Sequence, residues 1–222
     1  PIARADAVAT PWLTALFTSV SAVCVTGLVT VDTGTYWSSF GQWVIMALFQ
    51  VGGFGMMTVA TLLGLMVNRS LRLRTRLTAQ AETHAVGIGD VTSVAKLVLV
   101  VTLIVELIVA LALLLRLRIG YELDWADAAW SGLFHAVSAF NNAGFSIHAD
   151  GLMRYASDGA TLAPIMFAIV VGGLGFPVLN DLRRKFTTPH HWSVHTKLTL
   201  VGTAVLLVGG TILLLGFEWS NP

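Results

Sequence analysis

The chain is 222 residues long, 55% hydrophobic and only 11% charged, where soluble domains carry roughly a quarter charged residues; that composition excludes a solvated globular domain and places the chain in a lipid bilayer. Its net charge of +1 offers no basic face able to neutralise many phosphates, which excludes nucleic acid as a partner. The lone Cys24 excludes a disulfide framework.

The sequence opens at Pro1 without a methionine and closes at Pro222 just after an apolar run, so it is expected to be a fragment of a longer protein. Pro11-Trp12 opens a first short helix, proline suiting a first turn. The helix runs into a turn at Gly27. Val31 to Thr35 is turn-rich and is expected in water. Trp43 to Val67 is apolar and long enough to span. Within it, Gly52, Gly53 and Gly55 weaken the helix, each by about 1 kcal/mol relative to alanine. They read either as a close helix-helix contact or as a functional bend. Arg69, Arg72, Arg74 and Arg76 follow, and Leu77 to Val94 reads as an interfacial helix and turn. Lys96 to Leu115 is a second span, apolar except for Glu106, and a second short helix starts near Trp130 and ends in a turn at Gly144. A watery loop with His148, Asp150, Arg154 and Asp158 leads to a span over Ala163 to Leu179, closed by Arg183, Arg184 and Lys185. Lys197 to Phe217 makes a further span.

Two stretches in this series answer each other. Leu16 to Leu28 and Leu133 to Phe145 each carry a Ser-Ala pair and then a glycine at the same place, 117 positions apart. The apolar run ahead of each glycine is about 10 to 12 residues, short of the ~20 that cross a hydrocarbon core. Such runs read as re-entrant half-helices, because non-helical backbone at membrane depth is tolerated only where protein buries it or water reaches it. The order of short helix, glycine turn, watery loop, Val-Gly-Gly-x-Gly span, basic cluster and lysine-started span occurs twice, as a parallel internal repeat. Nine Lys and Arg (Arg69, Arg72, Arg74, Arg76, Lys96, Arg183, Arg184, Lys185, Lys197) fall on one side, against Arg116, Arg118 and Arg154 on the other. The basic loops are therefore expected in the cytoplasm of a multi-pass plasma-membrane protein, with the half-helices entering from outside.

A cation entering a bilayer must exchange water for oxygen ligands, and backbone carbonyls supply them without fixed charge. Glycine opens backbone conformations that let carbonyls face an axis. Val25-Thr26-Gly27-Leu28 and Asn142-Ala143-Gly144-Phe145 contain no carboxylate, which argues against a divalent site and for a monovalent cation. The C-terminal ends of the half-helices bring partial negative charge to the turns.

The Val-Thr-Gly-Leu turn, the Asn141-Asn142-Ala143-Gly144-Phe145-Ser146 turn and the glycine-rich span after each resemble the Trk/Ktr/HKT superfamily of potassium transporters, in its membrane-spanning subunit. The resemblance covers nearly the whole chain and implies an all-α integral membrane fold of tandem span, pore helix, span units, potassium-channel-like, with two of four units largely present. Residues 1–68 then hold the pore helix, filter and second span of unit one, 69–95 a cytoplasmic loop, 96–187 unit two, and 188–222 a cytoplasmic loop and the first span of unit three. It implies potassium uptake through a selectivity filter at Gly27 and Gly144. The backbone carbonyls of Cys24, Val25, Thr26, Asn141, Asn142 and Ala143 are then the candidate ligands. In plant relatives serine at the first glycine accompanies sodium preference, and this chain has Gly27. The resemblance further implies a homodimer in membrane lipid on a cytoplasmic nucleotide-binding regulatory subunit, contacted by Arg69 to Asp90 or Arg183 to His195. No cofactor is expected beyond potassium as transported ion, and coupling to sodium or protons stays open.

Other marked residues have competing readings. Glu106, at mid-span, is either a hydrogen-bonded structural group or a site of ion coordination or proton coupling. His190, His191 and His195 read as a metal cluster or as interfacial residues. His135 reads as a hydrogen-bonded packing residue or a pH sensor. A membrane-embedded enzyme would need an acid-base pair, nucleophile or metal set; beyond Glu106 and His135 none is present, and no enzyme is expected. An ion-coupled secondary transporter with broken helices is the alternative.

Overall fold

The computed structural model describes residues 2–76, 88–185 and 187–219, by backbone alone over 60–76, 88–94 and 184–185. Among the described residues the chain is all-α, with one isolated bridge between Arg4 and Trp37. It divides into two compact units, Pro1–Gly173 and Leu174–Pro222.

The first unit begins with α1, Trp12–Val23, 12 residues or about 18 Å of helix. A one-turn helix α2, Thr33–Tyr36, is capped by Asp32, whose carboxylate accepts from the Thr35 amide at 2.7 Å. The long helix α3, Ser39–Arg76, runs unbroken through Gly52, Gly53 and Gly55, so the glycines do not bend it out of the helix. Arg69 to Arg76 lie in its last turns. Helix α4, Ile88–Gly120, takes in the second half of the segment read as an interfacial helix and turn; the rest, 77–87, falls outside the described residues. Helix α5, Trp125–Phe140, starts five residues earlier than the sequence suggested. The reason is Asp124, whose side chain caps the Ala126 amide at 3.1 Å, with Asp127 in the first turn complementing the helix dipole. At 16 residues α5 is still too short to span. Helix α6, Gly159–Leu174, begins behind Asp158.

Packing centres on α5, which lies most extensively against α4. Its C-terminal half is enclosed on every face: Phe134, His135, Ala136, Val137, Ser138, Ala139 and Phe140 are all buried. Phe49 of α3, fully buried, meets Phe134 edge-on at 5.6 Å and stacks on Phe145 at 5.8 Å. Val109 and Leu113 of α4 and Ile165 and Ala168 of α6 close the other side around Phe140. Gln42 ties the outer end together. Its amide donates to the carbonyls of Gly34 and Trp37, both at 3.1 Å, and its oxygen accepts from the Trp130 indole at 2.8 Å.

The glycine-rich stretches have a packing purpose. A β-carbon at Gly52 would collide with the carbonyl oxygen of Val23, the last residue of α1. A β-carbon at Gly172 would collide with the carbonyl oxygen of Phe140, the last residue of α5. Val23 and Phe140 are themselves 117 positions apart, so each long helix uses the same glycine to admit the end of a short one.

The second unit contains α7, Phe176–Lys185, a short turn over Pro189–His191, and α8, Val194–Glu218. The span expected over Ala163 to Leu179 is not continuous. Gly175 adopts φ +77 between Leu174 and Phe176, a left-handed residue that ends one helix, and Pro177 sits at the start of the next, where its missing amide costs nothing. Asp181 of α7 accepts from the Ser193 amide at 3.1 Å and from the buried Thr196 hydroxyl at 2.8 Å, fixing the start of α8. His190 and His191 lie in the turn between them, ring centroids 4.1 Å apart, and no group of three His, Cys, Asp or Glu able to hold a metal occurs among the described residues.

Among the described residues three helical stretches are long and apolar enough to cross a membrane, Ser39–Val59, Ala95–Gly120 and Val194–Glu218; α6 and α7 taken together have the length and composition of a fourth, interrupted one.

The glycine contacts give a stability prediction. Gly172→Ala and Gly52→Ala should each destabilise the protein by about 1–3 kcal/mol through overpacking against a fixed backbone oxygen. Gly173→Ala, whose β-carbon would lie 3.9 Å from the Asn142 amide, should cost no more than its neighbours in an ordinary contact. Thermal unfolding midpoints in detergent check the ranking.

Candidate functional site

The turns at Gly27 and Gly144 are built from the same backbone. Each short helix ends on a right-handed cap, Cys24 at φ −78, ψ −1 and Asn141 at φ −77, ψ −2. The next residue, Val25 or Asn142, is left-handed at φ +55. Its amide donates to the carbonyl of Ala22 (3.1 Å) or Ala139 (3.0 Å), and the following amide, of Thr26 or Ala143, reaches the carbonyl of Ser21 (2.9 Å) or Ser138 (2.8 Å). These paired bonds are the Schellman closure of a helix C-terminus. Left-handed backbone is tolerable for Asn142 and uncommon for a β-branched residue such as Val25.

The serines of the repeated Ser-Ala pairs lock the far side of each turn. Ser21 Oγ donates to the Leu28 carbonyl and Ser138 Oγ to the Phe145 carbonyl, both at 2.7 Å. Gly27 and Gly144 lie inside these bridges at φ +69 and +71. The two turns meet at their glycines: a β-carbon on Gly27 would collide with the Ala143 carbonyl oxygen and stand 3.2 Å from the Gly144 Cα, and one on Gly144 would stand 3.6 Å from the Gly27 Cα.

What the closures leave unpaired is the chemical content of the site. The carbonyls of Cys24, Val25, Thr26, Asn141, Asn142 and Ala143 accept no hydrogen bond among the described residues. Cys24, Thr26, Asn142 and Gly144 are exposed, and no charged side chain belongs to either turn. The structure thus brings the eight sequence-identified residues together as two adjoining turns, at the negative ends of two helix dipoles.

The support behind the second turn was not legible at the sequence level. Asn141 turns its side chain away from the turn into buried contacts with Gln50 and Glu106. His135 is buried in α5, with Nδ1 2.8 Å from the Ser131 carbonyl and Nε2 3.0 Å from the Ser146 hydroxyl, and its ring stacks on His148 at 5.0 Å. It therefore connects the helix to the segment leaving the turn, as the packing reading expected. Burial holds the His148 imidazole below its ordinary value. In the loop ahead of α6, Asp158 accepts from Arg116 at 3.0 Å and Tyr121 at 2.9 Å. The Arg116 bond holds its carboxyl well below the usual range.

Among the described residues the chain is all-α, with several helices of membrane-crossing proportions, the class of an integral membrane protein, and its paired glycine turns are the candidate site. The chain belongs to the TrkH family of cation transport proteins, whose sequence model matches residues 4–218. It is 43% identical over 213 residues to the Ktr system potassium uptake protein B of Bacillus subtilis, covering 95% of this chain and 47% of that one. It is 36% identical to the protein of the same name in Vibrio alginolyticus, over 94% of this chain and 46% of that one. With the potassium/sodium uptake protein NtpJ of Enterococcus hirae it shares 34% identity, over 93% of this chain and 45% of the other. The chain thus spans a little under half the length of these curated relatives. They are transport proteins, not enzymes.

Removing the serine bridge tests the local architecture. Ser138→Ala should lower stability by about 1 kcal/mol, the net worth of one buried hydrogen bond, or more if the Phe145 carbonyl finds no substitute. Denaturant or thermal unfolding of the purified protein checks it, with Ser21→Ala as the matched change in the first turn.

Proposed function

We propose that this chain forms part of a potassium uptake pathway across the plasma membrane. Potassium sheds water and is held by the backbone carbonyls of Cys24, Val25 and Thr26 in one turn and of Asn141, Asn142 and Ala143 in the other. The observation that carries this reading is the pair of matching left-handed turns, φ +55 and then about +70 in each, meeting at Gly27 and Gly144, whose six carbonyls accept no hydrogen bond among the described residues. Carbonyl rings of this kind compensate lost hydration without binding the ion so tightly that it cannot leave. The names of the relatives, potassium uptake and potassium/sodium uptake proteins, agree with a monovalent cation.

On this reading α1 and α5 are pore helices, and each unit is a span, a pore helix and a span, two of four units being largely present. The basic clusters face the cytoplasm. The whole protein pairs as a homodimer, and its cytoplasmic loops at Arg69 to Asp90 and Arg183 to His195 receive a nucleotide-binding regulatory subunit. An ion-coupled secondary transporter with broken helices draws support from one feature, the interruption at Gly175. Against it stands the same-sense use of Gly52 and Gly172 to admit the ends of the two short helices.

The test is growth at limiting potassium of a bacterial host without its own uptake systems, expressing the full-length parent. Gly144→Val places a branched side chain in left-handed backbone and should abolish rescue; undiminished growth would remove this turn from the pathway. Gly27→Ser adds a collision with the Ala143 carbonyl and should move preference toward sodium, read as the potassium-to-sodium influx ratio.

A further inference from the structure

The two turns share their backbone but not their backing. At the first, the cap residue is Cys24, whose side chain is exposed. At the second, 117 positions on, the cap residue is Asn141, 8% exposed. The two N–H groups of its Nδ2 are shared among three acceptors, Gln50 Oε1 at 2.7 Å, Glu106 Oε1 at 3.2 Å and the Val137 carbonyl at 2.9 Å. Gln50 in turn donates through Nε2 to Glu106 Oε2 at 3.1 Å. Glu106, in the middle of α4, is 4% exposed. Each of its oxygens accepts one amide N–H, which suits an acceptor-only carboxylate. The Asn141 side chain is also pressed against Gly53, where a β-carbon would collide with its Oδ1. One amide at the base of the second turn is therefore held by three elements, α3, α4 and α5, with no freedom to swing.

We propose that Glu106 is a positioning residue for ion selection: with Gln50 it clamps the Asn141 carboxamide, and so fixes the carbonyls of Asn141, Asn142 and Ala143 at the spacing that suits potassium. Glu106 touches no ion and its side chain does not line the pathway. Its action runs through the cap residue of α5, whose φ and ψ set the direction of the carbonyls that follow. With the clamp released, the turn can close around a smaller, more strongly hydrated ion, and discrimination falls before throughput does. Because both Glu106 oxygens act as acceptors, Glu106→Gln is not silent: it sets an amide donor against the amide of Gln50 or Asn141.

The inference rests on the reading of these turns as a potassium filter. It is tested in the full-length parent, expressed in cells lacking potassium uptake, by tracer influx of rubidium (standing in for potassium) and of sodium, each normalised to protein in the membrane. Asn141→Ala keeps the backbone carbonyl and removes only the clamped side chain. Glu106→Ala, Asn141→Ala and the double variant are compared, with Glu106→Gln and Gln50→Ala measured by the same criterion should Glu106→Ala not accumulate. The expected result is that each single change lowers the rubidium-to-sodium ratio by about tenfold, and that the double change lowers it no further than about twofold beyond either one, since all act through one contact. A parent that favours rubidium while the Glu106 variants keep its ratio would overturn the clamp and leave the filter standing, as would additive effects in the double variant. A parent without rubidium preference would overturn the filter reading, and the clamp with it.

Discussion

A helix that stops inside a membrane leaves carbonyls with no partner, and neither lipid nor a continuing helix can supply one. In the first unit much of the described packing bears on how the carbonyls at the ends of α1 and α5 are met. The Schellman bonds and the serine bridges satisfy the oxygens of Ser21, Ala22, Leu28, Ser138, Ala139 and Phe145. Among the described residues the carbonyls of Cys24, Val25, Thr26, Asn141, Asn142 and Ala143 accept no such bond. An unpaired buried oxygen costs about 1–3 kcal/mol. On the proposed reading, a cation that arrives already shedding water is the partner for which such oxygens become an asset.

Holding oxygens open demands rigidity elsewhere, and the surroundings of α5 supply it. Its end is pinned by the Gly172 contact behind Phe140, by Phe49 wedged against Phe134 and Phe145, and by the Gln42–Trp130 bond at the outer end. Two of these tethers, Phe49 and Gln42, come from α3, which precedes the second half of the repeat. The second turn is thus shaped by the first unit of the repeat as well as by its own. This is why a tandem duplication does not amount to two independent loops.

Much of this was legible in the sequence. Two glycines 117 residues apart behind matching Ser-Ala pairs marked the turns, because a local backbone conformation is written by local residues. The all-α membrane class followed from apolar runs in the same way. Less legible were features set by one residue's competing preference: Asp124 moved the start of α5 by capping it, and Gly175 with Pro177 divided an apolar run that hydropathy alone reads as continuous. Least legible was the Gln50–Glu106–Asn141 contact. Its members lie 35 to 91 residues apart and share no motif. Asn141 drew notice only for its carbonyl, and Glu106 only for its cost at mid-span.

The left-handed Val25 carries a consequence of its own. Asn142 accepts φ +55 readily, but a β-branched residue there costs on the order of 1–2 kcal/mol. The first turn is therefore a sprung latch and the second an idle one, although their atoms trace the same path. If the Ser21–Thr26 and Ser21–Leu28 bonds were released, Val25 would gain by relaxing to extended backbone. The peptide plane between Val25 and Thr26 would rotate with it and carry one carbonyl away from its companions. The amino acid at this single position makes the first half of the paired site the side on which it can fall out of register.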